Sequence, residues 1–262
     1  MLRKLMKYEF MAMGRIFLPL FGALIIISIV NSILGHFGLD VPERIGIVLS
    51  VLLMVGISVV TFIVIIQRFW TNLLSSEGYL MMTLPVSTDK IILSKLFTSS
   101  IWEVVSSVVL VIAILFITVG RVDYTEMIEG IRIAFRMIPF SSFQVVSLIM
   151  QFLAMLTLGA FSNILILYAC MSLGMITTKY RWLVAVAAYI AITTVLQIVA
   201  VVASAVGFFT GLFELFERFL MSFTTFGTIH VIALIVNLIM AAFCVAFYFI
   251  TRYMLKSRLN LQ

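Results

Sequence analysis

Between Ile45 and Ile66 the chain reads IGIVLSVLLMVGISVVTFIVII, with no charged residue anywhere in the run. A helix needs about 20 apolar residues to cross the hydrocarbon core of a bilayer. This stretch has that length, and its composition has no place on the surface of a water-soluble domain. In lipid every unpaired backbone N–H or C=O costs several kcal/mol, so such a run must be helical. Five further runs follow the same pattern: Ile16–Leu34, Ile101–Val119, Phe143–Ile176, Trp182–Phe209 and Ile229–Ile250. They are continuous rather than alternating, which argues against a barrel. The fourth is long, and splitting it would leave two halves each too short to cross; it is read as one span that tilts or projects.

The whole composition agrees. Of the 262 residues 64% are hydrophobic and 11% charged, against roughly 25% charged in an ordinary soluble domain. The expected fold is therefore all-α: a polytopic membrane protein with six transmembrane helices, one transmembrane domain over residues 1–262. Arg3, Lys4 and Lys7 precede the first run as they would in a signal peptide. That run is too long for a signal core and no A-x-A-like site follows it, so it reads as a retained first span.

Orientation is read from lysine and arginine. Twelve of the 17 basic residues fall on one side, at Arg3, Lys4, Lys7, Arg15, Arg68, Lys90, Lys95, Lys179, Arg181, Arg252, Lys256 and Arg258. Arg44, Arg121, Arg132, Arg136 and Arg218 fall on the other, together with most of the acids. Both termini, the 67–100 loop and the short 177–181 connection are expected to face the cytoplasm of a cell-membrane protein. The formal charge of +6 comes from this bias. The basic residues form no stripe, so nucleic acid is not an expected partner; the bilayer is. Trp70, Trp102, Tyr180, Trp182 and Tyr253 stand at span ends, where aromatic rings anchor in the headgroup region.

Three connecting pieces carry further pattern. In residues 1–15, Leu2, Leu5, Met6, Phe10 and Met13 share one helical face and Arg3, Lys4 and Lys7 the other. This describes an amphipathic helix lying in the headgroup plane. In the 67–100 loop, Gly78 and Pro85 bracket a short apolar piece. Ser87 then serves as a helix N-cap with Asp89 in the first turn. The exposed Tyr79, Leu80, Met81 and Met82 call for burial, either on the membrane surface or on another protein. In residues 210–228, Leu212, Phe213, Leu215, Phe216, Phe219 and Leu220 alternate with Glu214, Glu217 and Arg218, as in a short amphipathic or re-entrant helix.

No catalytic constellation is present. His36 and His230 are isolated, Cys170 and Cys244 lie in apolar runs, and Asp40, Asp89 and Asp123 lie outside the spans. No metal set, intramembrane aspartyl pair or G-x-x-x-x-G-K-[ST] phosphate loop is found. The spans hold no mid-membrane charge of the kind ion-coupled carriers keep; Glu103 comes nearest. Their polar residues are neutral: Asn31, Gln151, Asn163, Gln197 and Asn237. Such amides more often join helices than line a path, and Asn31, Asn163 and Gln197 are the candidate pathway residues.

The run Glu77-Gly78-Tyr79-Leu80-Met81-Met82-Thr83-Leu84-Pro85-Val86-Ser87, followed by Ile92-Leu93-Ser94-Lys95-Leu96, resembles a signature of small six-span permease subunits in the type-two class of ABC exporters. The opening basic helix and Gly14-Arg15-Ile16-Phe17-Leu18-Pro19-Leu20 are similar too. The resemblance implies a permease that is half of a translocation pathway, paired with a second copy or a paralogue. It implies that Glu77, Gly78, Tyr79, Leu80, Met81, Met82, Leu84 and Pro85 form the coupling element docking a separate ATP-binding cassette subunit. ATP and magnesium would then belong to that subunit, and this chain would carry no cofactor and no enzyme activity. It also implies short re-entrant helices at 210–228, while the long 121–142 loop departs from the pattern. The other reading of the same features is a membrane scaffold or sensor that recruits cytoplasmic partners without transport. The charge bias predicts that a cysteine placed at Lys256 reacts with an impermeant maleimide only after the membrane is opened; labelling in intact cells would overturn the orientation.

Overall fold

Hydrogen bonding that must close within each segment dictates helices, and helices are what the apolar runs form. The computed structural model describes residues 2–71, 87–118, 125, 128–130, 132–133, 141–177 and 179–257. In chain order the helices among them are α1 (Leu2–His36), α2 (Asp40–Phe69), α3 (Thr88–Thr118), α4 (Ser142–Gly174), α5 (Arg181–Phe209), α6 (Leu212–Met221) and α7 (Thr225–Ser257). All but α6 are long and apolar enough to cross a membrane. The chain is a multi-pass membrane protein with six apolar helices.

The helix limits have local causes. Ser141 caps α4: its hydroxyl accepts from the Gln144 N–H while the Gln144 side chain accepts from the Ser141 N–H, a reciprocal capping box. The long fourth run is thus a single helix. At the start of α3 the Ser87 carbonyl accepts from the N–H groups of Lys90 and Ile91, with Asp89 in the first turn, as expected. Gly38 and Gly211, both with positive φ, make the turns out of α1 and into α6.

The residues fall into two compact units. Unit one comprises residues 1–68 and 93–139, unit two residues 69–92 and 140–262.

In unit one the N-terminal segment departs from expectation. The pattern of residues 1–15 predicts a separate helix lying on the bilayer, but from Leu2 onward the chain runs into the first span as one 35-residue helix without a break at Arg15. At 1.5 Å per residue α1 is roughly 50 Å long, well beyond a hydrocarbon core of about 30 Å. Part of its apolar face is covered by protein. Trp102 of α3 stacks on Phe10 and Phe17 at 4.8 and 5.1 Å, and Met13 and Phe17 are buried. Gly14 makes the approach possible, since a Cβ there would lie 3.2 Å from the indole. Trp102 is correspondingly only 4% exposed, a core residue and not the interfacial anchor expected of it. Trp182, Tyr180 and Tyr253 are exposed, as anchors would be. Between α1 and α2, Asn31 lies against Gly46, where a Cβ would meet the amide oxygen at 2.4 Å. Between α2 and α3, the Thr61 and Ser106 hydroxyls meet at 3.3 Å.

In unit two α4 packs on α5 and α7, and α6 touches α5 and α7. The Asn237 amide donates to the carbonyl of Gln151 at 3.3 Å, and Cys244 Sγ to that of Leu158 at 3.5 Å. Both helices advance by seven residues between these contacts, so α4 and α7 run parallel along a heptad-like seam. A parallel pair requires one return crossing between them. The 29-residue α5 makes it. The 10-residue α6, about 15 Å long, makes none. Its Leu212, Phe213, Leu215, Phe216 and Phe219 are exposed, and Phe213 also lies over Gly207 of α5.

The α4–α5 turn is a close approach between helices of this unit. A Cβ on Gly174 would stand 2.5 Å from the Arg181 carbonyl oxygen and 2.9 Å from Ala185 Cβ. Gly174→Ala should therefore lower stability by about 1–3 kcal/mol, measured as thermal unfolding in mild detergent. Gly22→Ala, with open space around it, is the control expected to change little.

Candidate functional site

The chain on both sides of residues 72–86 is held firmly. Phe69, the last residue of α2, lies flat on Tyr168 of α4 with ring centroids 3.9 Å apart and 19° between planes. Both rings are essentially inaccessible, at 0% and 1% exposure. Trp70 follows and sits over Trp182 at the start of α5, 5.5 Å centre to centre. On the far side, Asp89 in the first turn of α3 faces α7. One carboxylate oxygen accepts from the Tyr248 hydroxyl at 2.7 Å and from Arg252 Nε at 2.8 Å. Tyr248 and Arg252 are four residues apart and so share a helical face. Ile91 and Ile92 are buried one turn later. The entry to the 72–86 segment is thus fastened to α4 and α5, and its exit to α7, all within unit two.

Side-chain exposure of 41% for Arg252 and 34% for Asp89 makes the ion pair alone a weak bond. The tyrosine hydroxyl adds a hydrogen bond to a charged acceptor, in the range of about 1.5–3 kcal/mol. The sequence marked Asp89 only as a partner of the helix dipole. Its side-chain partners lie some 160 residues downstream, where no local pattern reports them.

Unit one has an ionic contact of a different kind. Lys95 of α3 is 3% exposed and pairs directly with Glu9 of α1. Its ammonium also reaches the carbonyl of Arg68, in the last turn of α2, at 3.5 Å. Carbonyls at a helix C-terminus lack intrahelical donors and favour a cation. One buried lysine therefore joins three helices. Lys95, one of the basic residues assigned to a span end, lies in the N-terminal part of the long α3 and is neutralised by Glu9, an acid that the Lys/Arg bias leaves out.

The candidate pathway residues have unlike settings. Asn31, in unit one, is 1% exposed, and neither its amide nitrogen nor its amide oxygen has a hydrogen-bond partner. Asn163 and Gln197, in unit two, stand on exposed faces of α4 and α5. Gln151 and Asn237 join α4 to α7 as inter-helix amides do: Gln151 donates to the His230 carbonyl at 3.4 Å and Asn237 to the Gln151 carbonyl. The coupling residues Glu77, Gly78, Tyr79, Leu80, Met81, Met82, Leu84 and Pro85 lie outside the described residues. Among the described residues no cluster of three His, Cys, Asp or Glu is placed to hold a metal. Cys170 and Cys244 are buried free thiols.

Compared with protein-family models, with curated proteins and with solved structures, the chain matches none. What its fold defines is the class already named: a polytopic membrane protein with six apolar helices built to sit in a lipid bilayer.

The buried pair predicts non-additive energetics. Glu9→Leu or Lys95→Met alone leaves an uncompensated buried charge and should destabilise by roughly 3–5 kcal/mol. The double variant should recover most of that loss. Thermal or denaturant unfolding of the detergent-solubilised protein measures it, and additive losses would show that the two residues do not act as a pair.

Proposed function

We propose that this chain is the membrane-spanning subunit of an ATP-driven exporter. It forms half of a translocation pathway with a second copy or a paralogue, and it docks an ATP-binding cassette subunit through residues 77–85. The reading takes the Lys/Arg-rich side as cytoplasmic, with both termini there. ATP and magnesium then reside on the partner, whose hydrolysis drives this chain.

The observation that supports it most is the fastening of both ends of the 72–86 segment. Phe69 and Trp70 hold one end and Asp89 the other. A segment that receives work from another protein needs firm attachment to the helices that are to move, and a passive connection does not. The Glu77–Ser87 sequence and its likeness to exporter permeases supply the kind of partner. The exposed Asn163 and Gln197 are the residues we assign to the pathway face, with Asn31 buried beside α2.

The test is a pull-down of the tagged chain from its own membranes in mild detergent, with mass identification of what accompanies it. An ATP-binding subunit at near one-to-one stoichiometry is the expected result. Tyr79→Asp or Leu80→Asp should remove that subunit while leaving the chain in the membrane. Recovery of the chain with non-ATPase partners only would favour the scaffold reading, and co-purification unchanged by both substitutions would put the docking surface elsewhere.

A further inference from the structure

Residues 69–92 belong to unit two, although most of α2 and most of α3, the helices that bracket them, belong to unit one. Covalent continuity alone would pass a displacement of the 72–86 segment into α2 and α3. The side-chain contacts offer another route. Phe69 is stacked on α4 through Tyr168, and Asp89 is bound to α7 through Tyr248 and Arg252. These two helices are the parallel pair, linked to each other at Asn237–Gln151 and Cys244–Leu158. Tyr168 and Tyr248 both lie toward the C-terminal ends of their helices, so the two attachments grip the same end of the pair. Each attachment is short. Helices are stiff, and packed interfaces switch between discrete arrangements rather than stretching.

We infer that Asp89, Tyr248 and Arg252, together with Phe69 on Tyr168, form a two-point clamp that delivers movement of the docking segment to α4 and α7. These are positioning residues: none is expected to touch ATP or the transported molecule. The inference rests on the proposed exporter function and says which part of the chain the ATPase moves. It assigns the stroke to the C-terminal helices, not to the two helices that lead into and out of the segment.

The experiment uses the complex co-purified from native membranes. Hydrogen–deuterium exchange is followed with and without a non-hydrolysable ATP analogue, in wild type and in the Tyr248→Phe/Arg252→Gln variant. Tyr248→Phe alone serves if the double variant does not reach the membrane. In wild type the analogue should alter exchange in peptides of α4 and α7. In the variant that difference should be largely lost. Co-purification should hold while the thermal midpoint falls, and Gly174→Ala, destabilised to a similar extent, should keep the wild-type exchange difference, which separates transmission from plain structural support. Three results overturn the clamp alone: analogue-induced changes confined to residues 40–68 and 93–118, an undiminished response in the variant, or loss of the ATPase from the variant complex. Absence of any ATP-binding subunit from the wild-type preparation fails the exporter reading, and the clamp with it.

Discussion

Hydrocarbon supplies no hydrogen bonds, and that lack governs this molecule from backbone to side chains. The backbone answers with helices of 29 to 35 residues wherever it is apolar enough to span. The hydroxyls answer in the same way. Ser28 donates to Leu24, Thr61 to Ile57, Thr98 to Ser94, Ser106 to Trp102 and Thr251 to Phe247, each to the carbonyl four residues back. Each of these hydroxyls is therefore satisfied within its own helix, and Thr61 and Ser106 also meet across helices. Composition alone would suggest polar contacts between helices at many of these sites; most of the hydrogen bonds stay within one helix.

Lipid also removes the usual force that presses helices together, since a lipid tail is as apolar as leucine. Close packing then depends on small residues that admit a neighbour. Gly14 admits the Trp102 ring, Gly46 admits Asn31, and Gly174 admits the backbone of Arg181. The heptad step that sets Asn237 and Cys244 against Gln151 and Leu158 adds weak polar links to the same kind of seam. These links have a topological consequence. They show α4 and α7 to be parallel, so α6 is left as a short element that does not cross.

The spanning helices were legible in the sequence because a continuous apolar run leaves the backbone one solution. The start of α3 at Ser87 was legible because capping is local. The fate of the N-terminal 15 residues was not. Periodicity displays an apolar face on residues 1–15, but it cannot say what covers that face. Bilayer and protein present the same chemistry to Phe10 and Met13, and the partner, Trp102, lies some ninety residues along the chain. Trp102 itself was misread for the converse reason: a tryptophan near a span end has the composition of an anchor until a glycine on another helix gives it a slot. The candidate site divides in the same way. Its sequence pattern, an apolar piece bracketed by Gly78 and Pro85, is a matter of local sequence. Its fastening through Asp89, Tyr248 and Arg252 is a long-range fact with no local signature.

Charge placement closes the physical account. A charge at the centre of a bilayer is costly, and the cost falls toward helix ends, where long side chains reach the interface. In unit one the ionic link joins Glu9 and Lys95 to the last turn of α2. In unit two it joins the first turn of α3 to the last turns of α7. The ionic attachments thus lie in the outer turns of the helices, while the middles of the spans are packed by glycine, small polar groups and aliphatic side chains. Such a division leaves each span a rod whose internal hydrogen bonds are complete and whose lateral contacts are individually weak.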